Sequence, residues 1–242
     1  MVCIPSGATD VERSAVEEAT LRSGAARSFL IEEPLAGAIG AKLPVTDPVG
    51  SAVVDIGGGT SEMAVTALGG IVVSKSIPVG GYDLDEAIVR LVQTEQQLLI
   101  GQEQAEALKI EIGTVFPASD SPAAADVAGR DRTSGLLRRA TVTAKEIQRA
   151  LHRPLERIVD AVKLLLEETP PDLSSDIAAR GLMLIGGGAL LRGLDQLLRE
   201  QTGLAVTVAE EPLTTVARGA GLALDQSGRF AISDAKGRRS NR

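Results

Sequence analysis

The chain has 242 residues, 44% of them hydrophobic, so one large or two modest domains with a buried core are expected. A formal net charge of −7 and an aromatic content of 2% disfavour nucleic-acid binding, which calls for a cationic surface and stacking platforms. One cysteine (Cys3), one histidine (His152), no leader pattern and no run near the ~18–20 apolar residues of a membrane span exclude an internal disulfide, a Cys/His metal centre and a spanning helix, and point to a reducing cytoplasm.

In chain order, MVCIP reads as a short buried strand. TDVE follows as a capping box, with Thr9 and Glu12 satisfying each other's backbone donors. It predicts a helix to about Ser23, closed by Gly24. RSFLIEEP is a second strand ending at Glu32 and Glu33. LAGAIGAKL (Leu35 to Leu43) is a small-residue helix built for close packing, and PVTDPVG is loop chemistry and a candidate hinge. VVDIGGGTSEMAV (Val53 to Val65) then runs strand, glycine turn, strand, and Gly69-Gly70 predicts the next hairpin turn. YDLDEAIVRLVQTEQ is helical by its apolar spacing. So is GQEQAEALKIEIGTVF, with Ala105, Leu108, Ile112 and Val115 on its apolar face.

Pro117 to Asp126 lacks pattern and is expected to be loop, and Arg130 to Val142 a hairpin turning at Ser134-Gly135. TAKE (Thr143 to Glu146) is a second capping box. It opens a long helix that Pro154 should kink and that TPP (Thr169 to Pro171) ends. GLMLI, the second glycine triplet (Gly186 to Gly188) and LLRGLDQLLRE predict strand, turn, helix. LAVTVAEEP is a strand, VARGAGLAL a final helix, and the basic residues from Lys236 to Arg242 a disordered tail. Alternating strands and helices make the class α/β.

The glycine turns carry the chemistry. Bare backbone lets N–H groups converge on an anion, which suits phosphate. No P-loop pattern is present, and neither triplet has the spacing and context of a dinucleotide fold. An acid beside a phosphate cradle repels phosphate unless a cation lies between them. Asp55 is therefore expected to serve Mg²⁺, and Gly57, Gly58, Gly59 and Thr60 the phosphates.

The segments IEEPLAGAIG, DIGGGTSEMAV, SKSIPVGGYDLDEAI, LLIGQEQAEALKIEIG and LIGGGALLRGLDQLL resemble the actin-like ATPase superfamily. Within it they resemble the MreB/Mbl family of bacterial rod-shape-determining proteins, from about Val2 to about Asp225. Sugar kinases and chaperone ATPases share the glycine turns but not SKSIPVGG. The resemblance implies an actin-like fold of two lobes, each on a mixed sheet of ribonuclease-H type, with Mg-ATP in the cleft.

It further implies that Glu33 positions the attacking water and that Thr60 helps orient that water or the γ-phosphate. Glu106 and Lys109 would contact ribose and adenine, and Gly186, Gly187, Gly188 and Ala189 would line the α-phosphate and base. Tyr82 stands where the family often has a charged residue, a difference expected to be harmless. The cofactors implied are ATP and Mg²⁺. The partners implied are copies of the protein in a filament and membrane-associated proteins of cell-wall synthesis, in the cytoplasm at the inner face of the cell membrane. Any membrane contact by this chain is expected to be weak.

The implied division is a partial first lobe (1–47), the second-lobe core (48–83 and 143–216), a small inserted subdomain (84–142), a C-terminal helix returning to the first lobe (217–235) and the tail (236–242). The family's DxGT phosphate strand has no counterpart here, so the first lobe is expected to be incomplete and its sheet to show an unpaired edge. Losing two or three charged hydrogen bonds would weaken nucleotide binding by about two to six decades. A shortened paralogue without ATP turnover, serving as a filament-modulating subunit, is the alternative reading.

Overall fold

The computed structural model describes residues 1–116, 123–225 and 229–236. β1 (Val2–Ile4) leads to α1 (Asp10–Arg22), which opens on the expected capping box. Thr9 Oγ1 accepts from the Glu12 N–H at 3.3 Å, and Glu12 Oε2 accepts from the Thr9 N–H at 2.8 Å. No α1 side chain is buried. Arg13 ties the helix to the sheet by an ion pair with Glu32 at 3.0 Å. β2 (Arg27–Glu32) runs parallel to β1, and α2 (Glu33–Gly40) starts at once, with Pro34 in its first turn where a missing N–H costs nothing.

β3 (Ser51–Ile56), β4 (Ser61–Ala67) and β5 (Gly70–Ile77) form an antiparallel meander. α3 (Gly81–Glu95), β6 (Leu98–Leu99), α4 (Gln102–Ile112), β7 (Ala124–Asp131) and β8 (Leu137–Thr143) make a small unit with its own antiparallel sheet. α5 (Ala144–Glu168) starts on the Thr143/Glu146 capping box and continues through Pro154. α6 (Pro171–Arg180) returns the chain to β9 (Leu182–Ile185). A 3-10 turn (Gly187–Leu190), α7 (Leu194–Thr202), β10 (Val206–Val208), α8 (Thr215–Asp225) and β11 (Ser233–Lys236) complete it.

The central sheet has the order β10-β9-β3-β4-β5, and a second sheet the order β1-β2-β11, with β1 at its edge. The central strands alternate between two cores. Val54, Ile56, Met63 and Val65 join the larger core with Ile88, Ile147, Leu151 and Ile158 from α3 and α5. Val53, Ala64 and Ile185 face the smaller core, where α2 and α8 supply Leu35, Ala36, Ala38, Ala220 and Ala223. Small residues decide the geometry there. A Cβ on Gly40 would overlap the Thr215 carbonyl, and one on Gly219 the Ala36 carbonyl, so the two helix backbones touch.

The structure corrects several expectations. The β4–β5 turn is Leu68-Gly69, both at positive φ, one residue earlier than Gly69-Gly70. The tight hairpin twist needs two left-handed residues, and Leu68 accepts one of them. Val115 lies beyond α4, which ends at Ile112 where Gly113 turns extended as its C-cap, at a place where a Cβ would overlap the Lys109 carbonyl. Of the stretch expected as loop, 117–122 lie outside the described residues, and β7 already begins at Ala124 because it pairs with β8. TPP ends α5 as expected, with Thr169 as its C-cap, but Pro171 also sits in the first turn of an unexpected helix, α6, whose single buried side chain, Ile177, left too faint an apolar period. The second glycine triplet leads into the 3-10 turn, and α7 starts only after Gly193. Lys236 belongs to β11, which finds the free edge of β2, while 237–242 lie outside the described residues.

Gly219→Ala forces apart two backbones that cannot yield by rotating a side chain. It is expected to cost about 2–3 kcal/mol, and so to lower Tm by roughly 4–12 °C in a chain of this size. Thermal unfolding of the variant beside Gly221→Ala, where a Cβ meets nothing within 4 Å, checks this.

Candidate functional site

The two glycine turns meet because β3 and β9 are parallel neighbours, with Asp55 opposite Ile185. Each turn leaves the same end of the sheet. In the first, the Gly57 N–H donates to the Thr60 carbonyl at 2.9 Å, while Gly58 and Gly59 have no backbone partner for theirs among the described residues. In the second, Gly186 takes φ +81°, and a Cβ on it would overlap Asp55 Oδ1 and the Ile56 carbonyl. Gly188 packs onto the Ile56 side chain.

A cavity of about 460 Å³ opens between the turns. Gly57, Gly58, Gly187 and Gly188 of the turns line it, together with Glu106 and Lys109 of α4. Six of the residues expected from sequence are thus brought together. Gly186 and buried Ala189 stand behind the second turn, and Gly59, Thr60, Asp55 and Glu33 lie off the lining.

Three residues in and around this cavity escaped the sequence reading. Asp85, nearly buried on α3, pairs with Lys109 Nζ at 2.7 Å, while the same Nζ donates to the Gly81 carbonyl at 3.3 Å. Burial raises the Asp85 carboxyl, and Lys109 opposes that rise. Arg192 donates to the carbonyls of Glu111 at 2.6 Å and Gly113 at 3.0 Å. It thereby caps the C-terminal end of α4 and tethers it to the second turn. Neither residue carried a sequence signal, because each role depends on packing between distant segments.

The third is Glu62, 1% exposed and directly opposite Asp55 across the β3–β4 ladder. It accepts from Ser6 N–H at 3.2 Å, Ser6 Oγ at 3.0 Å and Ser76 Oγ at 2.5 Å. The hairpin register centred on GGGT contained this signal, since it places the two acids face to face.

Asp55, Glu33 and Glu62 therefore form an acidic patch beside the cavity. Burial first, then the charges of Glu33 and Glu62, push the Asp55 carboxyl up to about 7. Burial and the Glu62 charge raise Glu33 as well. Glu32, one residue earlier, is spent on Arg13, which separates the two adjacent acids into a structural and a site-facing member. A buried carboxylate next to two others, with no ion pair of its own among the described residues, suits a divalent cation that takes one protein oxygen and completes its shell with phosphate and water.

A model of the MreB/Mbl protein family matches residues 1–231. The chain is 52% identical over 225 residues to the cell shape-determining protein MreB of Escherichia coli K12, covering 93% of this chain and 65% of that protein. It is 46% identical over 225 residues to the cell shape-determining protein Mbl of Bacillus subtilis 168, covering 93% of this chain and 67% of that protein. The crystal structure of Spiroplasma citri MreB5 bound to AMPPNP superposes with a TM-score of 0.87 at 34% identity, over 93% of this chain and 68% of that one. A MamK double helical filament, 21% identical with a TM-score of 0.76, shares the fold.

The raised Asp55 carboxyl means that the fold favours its neutral form. Its stabilising contribution is complete below about pH 4 and is lost as pH rises through 7. In cation-free, nucleotide-free buffer, the stability advantage of Asp55→Asn over the wild type is expected to grow by about 3 kcal/mol between pH 4.5 and pH 8. Urea unfolding at both pH values checks this. An unchanged difference between them would remove the buried-acid account.

Proposed function

The chain belongs to the MreB/Mbl family, and from that premise we propose that it is a bacterial actin-like cytoskeletal protein that binds ATP at its glycine turns, forms filaments with copies of itself and helps determine cell shape by organising cell-wall synthesis. The observation that carries the reading is the convergence of two glycine turns on a single cavity, with the buried acid Asp55 packed against Gly186 of the second turn. The nucleotides named in the Spiroplasma citri structures, AMPPNP and ADP, support it.

In this reading the N–H groups of Gly58 and Gly59, without a backbone partner among the described residues, donate to phosphate oxygens, and Gly187 and Gly188 let the rest of the phosphate chain lie close to the backbone. Glu106 and Lys109 face the ribose and base. Asp55 holds Mg²⁺, which when bound neutralises phosphate charge. Glu33, raised by its surroundings, accepts a hydrogen bond from water and aims its oxygen at the terminal phosphorus, with Thr60 alongside. The proposed location is the cytoplasm at the inner membrane face, and the proposed partners are the proteins of cell-wall synthesis. The proposed division puts 48–83 and 143–216 in one lobe core, 84–142 in its inserted subdomain, and 1–47 with 217–235 in the neighbouring lobe.

Calorimetric titration of Mg-ATP into the chain tests the nucleotide reading. Saturable binding is expected, weakened at least about tenfold by Asp55→Ala, which removes a charged ligand contact. Sedimentation with and without Mg-ATP tests assembly, with polymer in the pellet only when nucleotide binds. An unresponsive chain in both assays would sink the proposal.

A further inference from the structure

Tyr82 is the chain's single tyrosine, and there is no tryptophan. In a protein this poor in aromatics a large ring would be expected in a core, yet Tyr82 is 62% exposed and lines the cavity. Its placement is built rather than incidental. It is the second residue of α3, and the first N–H groups of that helix are spent on the first glycine turn. Gly81 donates to the Gly57 carbonyl at 2.9 Å, and Tyr82 to the Gly58 carbonyl at 2.8 Å. Gly80 must be glycine for this approach, since a Cβ would stand 2.6 Å from the Gly58 carbonyl oxygen. Behind it, Ser61 Oγ donates to the Val79 carbonyl at 2.7 Å and pins the segment that leads in.

The ring lies over Gly58. A Cβ on Gly58 would meet Tyr82 Cε2 and Cζ at 3.1 Å and its hydroxyl oxygen at 3.4 Å. The phenol group thus sits over the turn whose Gly58 and Gly59 N–H groups have no backbone acceptor among the described residues. The two backbone bonds fix the Tyr82 backbone beside the turn, and its hydroxyl oxygen stands 3.4 Å from where a Gly58 Cβ would be, so an anion seated on the turn would have an O–H donor beside it.

We infer that Tyr82 is a ligand-contacting, specificity-determining residue whose hydroxyl donates to a phosphate oxygen of the bound nucleotide. This rests on the nucleotide reading of the same cavity. It assigns a role to the one residue that the family resemblance marked as a departure. The inference also explains why Gly58 has no side chain although its φ does not demand glycine: the ring needs the space.

The absence of tryptophan makes the test direct, because tyrosine emission from the full chain comes from Tyr82 alone. Mg-ADP is titrated into wild type, Tyr82→Phe and Tyr82→Ala by calorimetry, with tyrosine emission read in parallel on the wild type and adenosine as the phosphate-free control. The wild type is expected to show a saturable emission change at the calorimetric midpoint. Tyr82→Phe keeps the ring and loses the donor, and is expected to bind Mg-ADP about tenfold more weakly while adenosine binding is unmoved.

Gly58→Ala supplies an independent arm. It is expected to weaken Mg-ADP binding in the wild-type background and to be tolerated when combined with Tyr82→Ala, which vacates the space. Wild-type heats with unmoved emission, together with full affinity in Tyr82→Phe, would overturn this inference and leave the nucleotide reading intact. No Mg-ADP heat in the wild type would overturn both.

Discussion

The parallel pairing of β3 with β9 sets Asp55 opposite Ile185, and the site geometry follows from that register. Parallel strands leave a sheet at the same end, so the turns after Ile56 and Ile185 must emerge side by side. A shift of one residue would turn Asp55 into the larger core and Ile56 out of it. The register is held by the alternation itself, because Val54 and Ile56 have a large apolar core on one face while Val53 and Asp55 look toward the small-residue core and the acids on the other. Gly186 and Gly188 then let the second turn close onto the end of β3, with Asp55 Oδ1 and the Ile56 side chain occupying the space their side chains would need.

Within that frame the acids are held at a cost. Glu62 is supplied with three hydrogen-bond donors, so its burial is compensated. Asp55 has no comparable set among the described residues and is raised to about 7 by burial and by its two neighbours. A group left this way in a fold of marginal stability is a pointer to function, because packing alone would favour an apolar residue there. The same logic separates Lys109 from an ordinary surface lysine. Its ammonium is already balanced by Asp85, so the wall it forms carries direction without a large excess of charge.

Local chemistry was legible in the sequence, and long-range pairing was not. Both capping boxes, the strand–turn–strand around GGGT and the apolar faces of α3 and α5 are written in neighbouring residues, and each stands where the spacing placed it. α6 was missed because one buried residue leaves no period, and β11 because its partner edge lies some two hundred residues earlier in the chain. The site divides in the same way. The glycine turns could be read directly, and Glu62 could be had from the hairpin register. Asp85 and Arg192 act through contacts between segments that only the folded chain brings together.

The two faces of the central sheet differ in how they can respond to change, and that difference reaches the site. On the larger core's side, α3 and α5 pack through Leu and Ile, whose rotamers can absorb small displacements. On the other side, α2 and α8 touch backbone to backbone at Gly40 and Gly219, and Gly37 closes onto Ile185, so the separation there has almost no freedom to relax. Glu33 is the first residue of α2. Its distance from Asp55 is therefore set by glycine contacts along the following turns of its own helix. Cation-binding chemistry and water-orienting chemistry would need a fixed spacing, and the chain obtains it by removing side chains rather than adding them. A methyl group at Gly40 would meet the Thr215 backbone, which cannot yield by rotating a side chain, and so would push on the helix that this acid begins.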